Sequence, residues 1–511
     1  MIREILHHMY TEPISYPRPR PKKDPEYRGP ISSFALDAVF SSCGDFESRL
    51  LDFGLEGRVA VRACWLDGLV SGADAADEIL RPLTDRLRAG EADGEAAVIE
   101  RILAGGVYRG AVHRRSDMDL LVSDLCHGYL ALIFDGSAVA LSFEIRSADV
   151  RAVGEPTLEK SLKGGKDAFT ETLRTNTALV RRRIASPKLK LAESTLGRRS
   201  NTRLSVLFME GLVSPDTLRE LARRLDKLDV DALLSLGSLE EAIVDAPLSP
   251  FPQLLHTERP DRFAMYLIQG RIGLLVDGLP VGLVLPVTLA EFMKVTDDAG
   301  SHFLVSSALS LMRWTALAVA ALLPAFYVAV AMYHQEMIPT RLLLSIIEAE
   351  QDVPFSTALE VLGMLAAFCL VQEAGLRLPN PIGDTVSIIG ALIVGQAAVE
   401  AKIVSPIAII VVAFSAIACY ALPSQDLAAA VRLARFLLLL GAIFAGLYGT
   451  ALIAALLLLH LASLDSFGVD YTAPLSDGLR GGLRRLLFLP PQPAEKFRDP
   501  HLNTPDRRKQ K

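Results

Sequence analysis

The sequence predicts an α/β cytosolic region of two similar subdomains followed by an all-α multi-span membrane domain. Three observations predict it. Residues 30–300 alternate short apolar runs, ending in Asp-Gly or Glu-Gly turns, with charged helical stretches. Beyond residue 303 long charge-free runs begin. Half of the 511 residues are hydrophobic and the mean hydropathy is +0.32, high for a soluble chain and low for one embedded along its whole length.

Residues 1–30 form an expected flexible arm. They carry the proline-rich basic stretch YPRPRPKK at 16–23 and lack a long apolar core with a small-residue cleavage site, so the arm is expected to stay in the cytosol. Residues 31–160 and 161–300 are expected to be two related subdomains. WLDGLVS at 65–71 recurs as FMEGLVS at 208–214, and LALIFDG at 130–136 recurs as GLLVDG at 273–278. Both motifs recur at nearly the same offset, which indicates a duplicated unit of strand, helix and Asp-Gly hairpin. Asp135-Gly136 and Asp277-Gly278 suit two-residue turns, with the aspartates as turn formers.

Residues 303–465 are expected to be the membrane domain. The runs 314–332, 404–422 and 436–461 each meet the ~20-residue length of a span. The stretch 355–376, which carries Glu360, Gln372 and Glu373, and the short Gly-rich stretch 384–399 could each be a span, a re-entrant element or a helix lining water. Residues 466–511 form a basic tail, placed in the cytosol by the positive-inside rule. An even number of crossings then follows, taken as four, with 384–399 re-entrant or interfacial. This topology faces the acidic loop 348–352 outward and puts Arg432 and Arg435 outside as well, against the same rule.

Recognisable catalytic chemistry is absent from the sequence, and no enzyme activity, cofactor or metal is expected. Gly164-Gly165-Lys166 lacks the upstream glycine of a phosphate loop, and no G-x-G-x-x-G or H-E-x-x-H motif occurs. The 5 cysteines include no C-x-x-C pair. Arg181, Arg182 and Arg183 with Lys188 and Lys190 suit a solvated helix face or, second, lipid headgroups; nucleic acid is not an expected partner.

The informative polar groups are carboxylates inside the apolar region, where an unpaired charge costs ~2.5–3.5 kcal/mol even on a gentle insertion scale. The pore or gating candidates are Glu360, Met364, Glu373, Asp384, Gln396 and Glu400. Glu360 and Glu373 fall about 140° apart on one helix, so both cannot face one pore, and Glu360 is the first choice. Gly390, Ala391 and Gly395 form a small-residue surface for close helix packing.

With these residues laid out, the chain resembles the A subunits of GerA-type germinant receptors of endospore-forming bacteria, over residues 35–475. The resemblance is carried by FTETLRTNTALVRRRI at 169–184, EMIPT at 336–340, EAGLRLPNPIG at 373–383, SIIGALIVGQAAVEA at 387–401 and SFGV at 466–469. It implies a subunit of the inner spore membrane with its N-terminal region and tail cytosolic, beside a permease-like B subunit and a lipoprotein C subunit. It further implies a homo-oligomeric, ligand-gated channel for monovalent cations in the lipid bilayer. The alternatives are a non-conducting scaffold or signal-transducing subunit and, less favoured, a secondary transporter. Leu365 and Cys369 stand where the family more often carries acids, Lys402 where a glycine is usual, and Gly164-Gly165 where Gly-Pro is usual.

Overall fold

The structure, a computed structural model, describes residues 26–27, 29–52, 60–88, 94–106, 112–146, 154–156, 159, 163–377 and 395–509. Most of the proline-rich arm lies outside the described residues, as do Asp384, Gly390 and Ala391. The chain falls into two units, Met1–Ser41 with Phe46–Ser147, and Ser42–Asp45 with Ala148–Lys511. The second α/β subdomain thus belongs to the same unit as the helical region.

In the first unit, helix α1 (Ser33–Val39) precedes strands β1 (Phe46–Asp52), β2 (Ala60–Leu66) and β3 (Val112–Arg115). Helix α2 (Met118–Cys126) then leads into β4 (Tyr129–Phe134) and β5 (Val139–Glu144). The sheet order is β1-β2-β4-β5-β3, antiparallel throughout. Leu130, Leu132, Phe134, Leu141 and Phe143 pack against Ile79, Leu83, Val98 and Ile99 from the intervening helical stretch.

The second unit repeats this plan. Helix α3 (Leu173–Arg183) precedes β6 (Leu189–Leu196), β7 (Thr202–Met209) and helix α4 (Pro215–Asp226). Strand β8 (Leu255–Thr257), helix α5 (Pro260–Ile268), β9 (Ile272–Val276) and β10 (Gly282–Leu285) follow. The order β6-β7-β9-β10-β8 is that of the first sheet, strand for strand. Gly68 and Gly211, at equivalent places in the repeated motif, both take positive φ (85° and 79°).

The two-residue Asp-Gly turns are not formed. Phe134 pairs with Val139 and Leu275 with Gly282, so both loops are longer. Their aspartates serve another purpose. Asp135 accepts hydrogen bonds from the Ser33 backbone N–H (2.7 Å) and hydroxyl (2.6 Å) at the start of α1. Asp277 accepts from the Leu173 N–H (3.0 Å) at the start of α3. Each carboxylate satisfies an unpaired amide at a helix N-terminus, where the dipole also favours negative charge. The duplication therefore extends to a shared strand-loop-to-helix anchor.

The second sheet is covered on both faces. On one, Leu204, Leu274, Val276 and Leu283 meet Leu221 and Leu239. On the other, Leu207, Leu275 and Val284 meet α3 and α5, and this core continues into Ala320, Cys419, Leu422, Leu427 and Val431 of the helical region. Gly273 and Gly282 let the Phe263 ring lie flat on the strands: a Cβ would fall 2.0 Å from the ring at Gly273 and 2.7 Å at Gly282.

The helical region comprises α6 (Phe303–Tyr333), α7 (Thr340–Glu350), α8 (Thr357–Arg377), α9 (Pro406–Tyr420) and α10 (Gln425–Ala462). Among the described residues, α6, α8 and α10 are long and apolar enough to cross a membrane, and α9 is a shorter apolar helix. Beyond the basal core, Ala325, Val328, Val361, Leu365, Ala408, Val412, Leu438 and Ala442 form a distal core of their own.

Helix α10 departs from the expectation of a single span over 436–461. A straight helix of its 38 residues would be ~57 Å long. Instead the backbone breaks at Ala445 (φ −141°) and Gly446 (φ 59°, ψ −139°), and Gly441 faces Gly449 and Ile453. Both ends return to the α/β subdomain: Asp426 Oδ2 lies 2.9 Å from His256 Nδ1, and His460 Nε2 lies 2.9 Å from Ser249 Oγ. The element is an antiparallel hairpin. Arg432 and Arg435, expected at the far side from the α/β subdomains, therefore lie on an arm that starts at the α/β side.

The basic tail is anchored on the same side. Helix α11 (Leu479–Leu487) runs beside the start of α6, where the Ser310 hydroxyl donates to Leu486 O (3.2 Å). Further on, Arg498 Nε donates to Ile268 O (3.2 Å), and Leu502 is buried.

Candidate functional site

The candidate site is the helix bundle together with its junction to the second α/β subdomain. At the base, Arg313 closes the first third of α6. Its guanidinium makes two 2.7 Å contacts with the Asp298 carboxylate and donates to Met293 O (3.2 Å), all buried. The charge-free run of α6 starts at the next residue.

Within the bundle, three helices are tied by one polar chain. Pro324 lies inside α6 and has no N–H to offer the carbonyl four residues before it, that of Ala320. The Ser415 hydroxyl on α9 donates to that carbonyl (3.0 Å), and Arg435 on α10 donates to Ser415 Oγ (3.1 Å). Arg435 is 2% exposed, and its Nε has no hydrogen-bond partner among the described residues. Arg432, one turn earlier, donates to Gln372 Oε1 of α8 (3.2 Å).

Glu360 is turned into the bundle of this chain. It is 3% exposed, and its Oε2 accepts the Ser405 backbone N–H (2.9 Å) at the start of α9. The cause is local: Ser405-Pro406 begins a helix whose first amides need acceptors, and Ser405 Oγ takes only that of Ala408 (3.3 Å). Met364 is buried in the distal core. Glu373, Gln396 and Glu400 are exposed, and Gly395 is buried, with a Cβ there 3.9 Å from Ile409. Asp384, Gly390 and Ala391 lie outside the described residues.

The basic cluster 181–190 is divided rather than solvated as a whole. Arg181 is buried and paired to Asp45, Arg183 pairs with Asp167, and Lys190 is buried beside Glu210 at 3.4 Å.

Sequence reasoning missed His256, which sits on β8 where the subdomain meets α10. Its Nδ1 bonds Asp426, and its Nε2 lies 3.2 Å from Glu240 Oε2, an ionic contact outside hydrogen-bond geometry. Burial works against the imidazolium, but the two carboxylates outweigh it and push its pKa up to about 10. A pKa raised above the unfolded value near 6.5 stabilises the folded state fully below that value, and the contribution fades as pH rises towards 10. The thermal midpoint of the full chain in detergent is therefore expected to fall between about pH 7 and pH 10. His256→Ala should lower the midpoint at neutral pH and flatten that fall; an equally steep fall in the variant would disprove the assignment.

Comparison with known proteins points to one family. The family model described as Bacillus/Clostridium GerA spore germination protein matches residues 35–501. Spore germination protein KA of Bacillus subtilis is 34% identical over 469 residues, covering 92% of this chain and 86% of that protein. Spore germination protein GerLA of Bacillus cereus is 32% identical over 430 residues, covering 84% of this chain and 87% of that protein. The crystal structure of the N-terminal domain of the A subunit of the Bacillus megaterium spore germinant receptor GerK3 covers 52% of this chain and 98% of its own, at 29% identity and a TM-score of 0.40. The family match extends through both α/β subdomains and the helix bundle, and on that evidence the chain belongs to the GerA family of spore germination proteins.

Proposed function

We propose that the chain is the A subunit of a nutrient germinant receptor in the inner spore membrane, assembled with a permease-like B subunit and a lipoprotein C subunit. Copies of the chain form a ring, and nutrient binding to the assembly repacks the helices so that monovalent cations pass. The role is non-catalytic.

The observation that carries this reading is the continuous core between the second sheet and the basal ends of α6, α9 and α10. A shift in either part strains the other, because packed interiors do not deform freely. The outer faces of α9 and α10 also remain apolar and exposed, at Phe414, Ile417, Phe444, Tyr448 and Leu459, which suits lipid or neighbouring copies.

Glu373, Gln396 and Glu400 are the lining candidates, with Asp384 retained beside them. Glu360 and Met364 belong to the packing that a gate would rearrange, and Gly390, Ala391 and Gly395 to helix contact. The inward burial of Glu360 favours the scaffold alternative, since it withdraws one acid from any shared lining.

Receptor reconstituted with its partners in planar bilayers is expected to pass a cation current on nutrient addition. Glu373→Gln and Glu400→Gln should reduce that current with receptor abundance unchanged. No current with all partners present would leave the scaffold reading in its place.

A further inference from the structure

At the end of the bundle away from the α/β subdomain, two buried polar atoms make no hydrogen bond of good geometry to any described residue. One is Oε1 of Glu360; the other is the Tyr327 hydroxyl on α6. Tyr327 lies against Glu350 and Ser405 and within the field of Glu360. Glu350, at the end of α7, accepts a hydrogen bond from the Thr357 hydroxyl (3.0 Å) and lines an open cavity with Leu344, Ile347, Glu348 and Gln351.

Among the described residues no lysine or arginine pairs with Glu350 or Glu360; the nearby Lys402 is engaged by Asp352 (2.5 Å). The start of α9 supports only one oxygen of Glu360. An ionised oxygen left dry and unpaired is costly, so a positive charge belongs beside it.

We propose that Glu350, Glu360 and the Tyr327 hydroxyl bind one monovalent alkali cation, entering from the cavity beside Glu350. The donor set selects the charge. Divalent ions take more oxygens and usually several carboxylates, whereas no third His, Cys, Asp or Glu joins these two among the described residues.

A proton is the competitor. Burial raises the Glu350 pKa, the Thr357 hydrogen bond opposes this, and the Glu360 charge adds to it. The site would join α6, α7, α8 and α9 within one chain, so it stands whether or not the receptor conducts.

The full chain in lipid nanodiscs tests this through its thermal midpoint in NaCl or KCl against choline chloride at equal ionic strength. At about pH 8 the midpoint should be a few degrees higher in either alkali salt, and the difference should shrink as the pH falls and Glu350, whose pKa is raised by burial, takes up a proton. Glu360→Gln should remove the difference at pH 8, and Tyr327→Phe, which deletes only a hydroxyl, should shrink it. Equal midpoints in choline and alkali at pH 8 would overturn the site. So would a folded Glu360→Gln protein that keeps the difference, or an unchanged difference in Tyr327→Phe. A midpoint that follows pH but not alkali would assign the unpaired oxygen to a proton instead.

Discussion

Gly449→Leu is expected to abolish stable folding of the helix bundle, with a loss of roughly 3 kcal/mol or more. The two arms of α10 approach so closely that a Cβ on Gly449 would sit 2.1 Å from the carbonyl oxygen of Gly441, and one on Gly441 would sit 2.7 Å from that of Gly449. Both obstacles are backbone atoms, which no rotamer change moves aside. The turn is constrained as well. Gly446 takes positive φ, and a Cβ there would press on Tyr333 at 3.0 Å, the residue whose hydroxyl donates to Ile443 O (2.6 Å) at the end of the first arm. Gly363 is the control: it lies in α8, and a Cβ added there would meet nothing within 4 Å, so Gly363→Ala should be neutral or stabilising by up to about 1 kcal/mol. Yield of monodisperse protein in detergent and the thermal midpoint check both. A Gly449→Leu protein as stable as the parent would show that the arms do not pack as a hairpin.

The duplication was legible because it rests on turn glycines and apolar strand runs, which local chemistry dictates; the repeated order of five strands follows from it. What Asp135 and Asp277 do was not legible. An aspartate before glycine suits a tight turn, and only the fold brings α1 and α3 close enough to claim the carboxylate.

The hairpin in α10 was hidden for a different reason. An apolar run has the same composition whether it crosses once or folds back, and Ala445-Gly446 reads as ordinary small-residue packing inside a span. Two signals were available: the spacing of Gly441, Gly446 and Gly449, and the misplacement of Arg432 and Arg435 under a one-span reading. For Glu360, sequence shows an acid in an apolar stretch but not which way it turns. The nearest clue was Ser405-Pro406, a helix start that would need acceptors, forty-odd residues away and joined to Glu360 only by the fold.

Asp45→Ala should cost about 3–5 kcal/mol, because it leaves a buried guanidinium without its counter-ion. Arg181 Nε and Nη2 donate to the two Asp45 oxygens at 2.7 and 2.8 Å, and Nη1 donates to Ser186 O (3.0 Å). The two side chains are 0% and 1% exposed. The carboxylate is delivered by the short segment Ser42–Asp45, which is fixed to β6: Gly44 N–H donates to Leu191 O (2.9 Å), and Cys43 Sγ lies 3.7 Å from Leu189 O. Losing Asp45 therefore releases the segment as well as stranding the charge. Arg219→Ala is the contrast, since its pair with Asp216 is largely exposed, and exposed pairs contribute about 0–1 kcal/mol. Replacing both buried partners, with Asp45→Leu and Arg181→Met, should recover much of the loss, as removing a whole buried pair avoids the desolvated lone charge. Thermal midpoints of the four proteins decide the matter: a double variant no better than Asp45→Ala would mean that the segment contact, and not the charge, carries the stability.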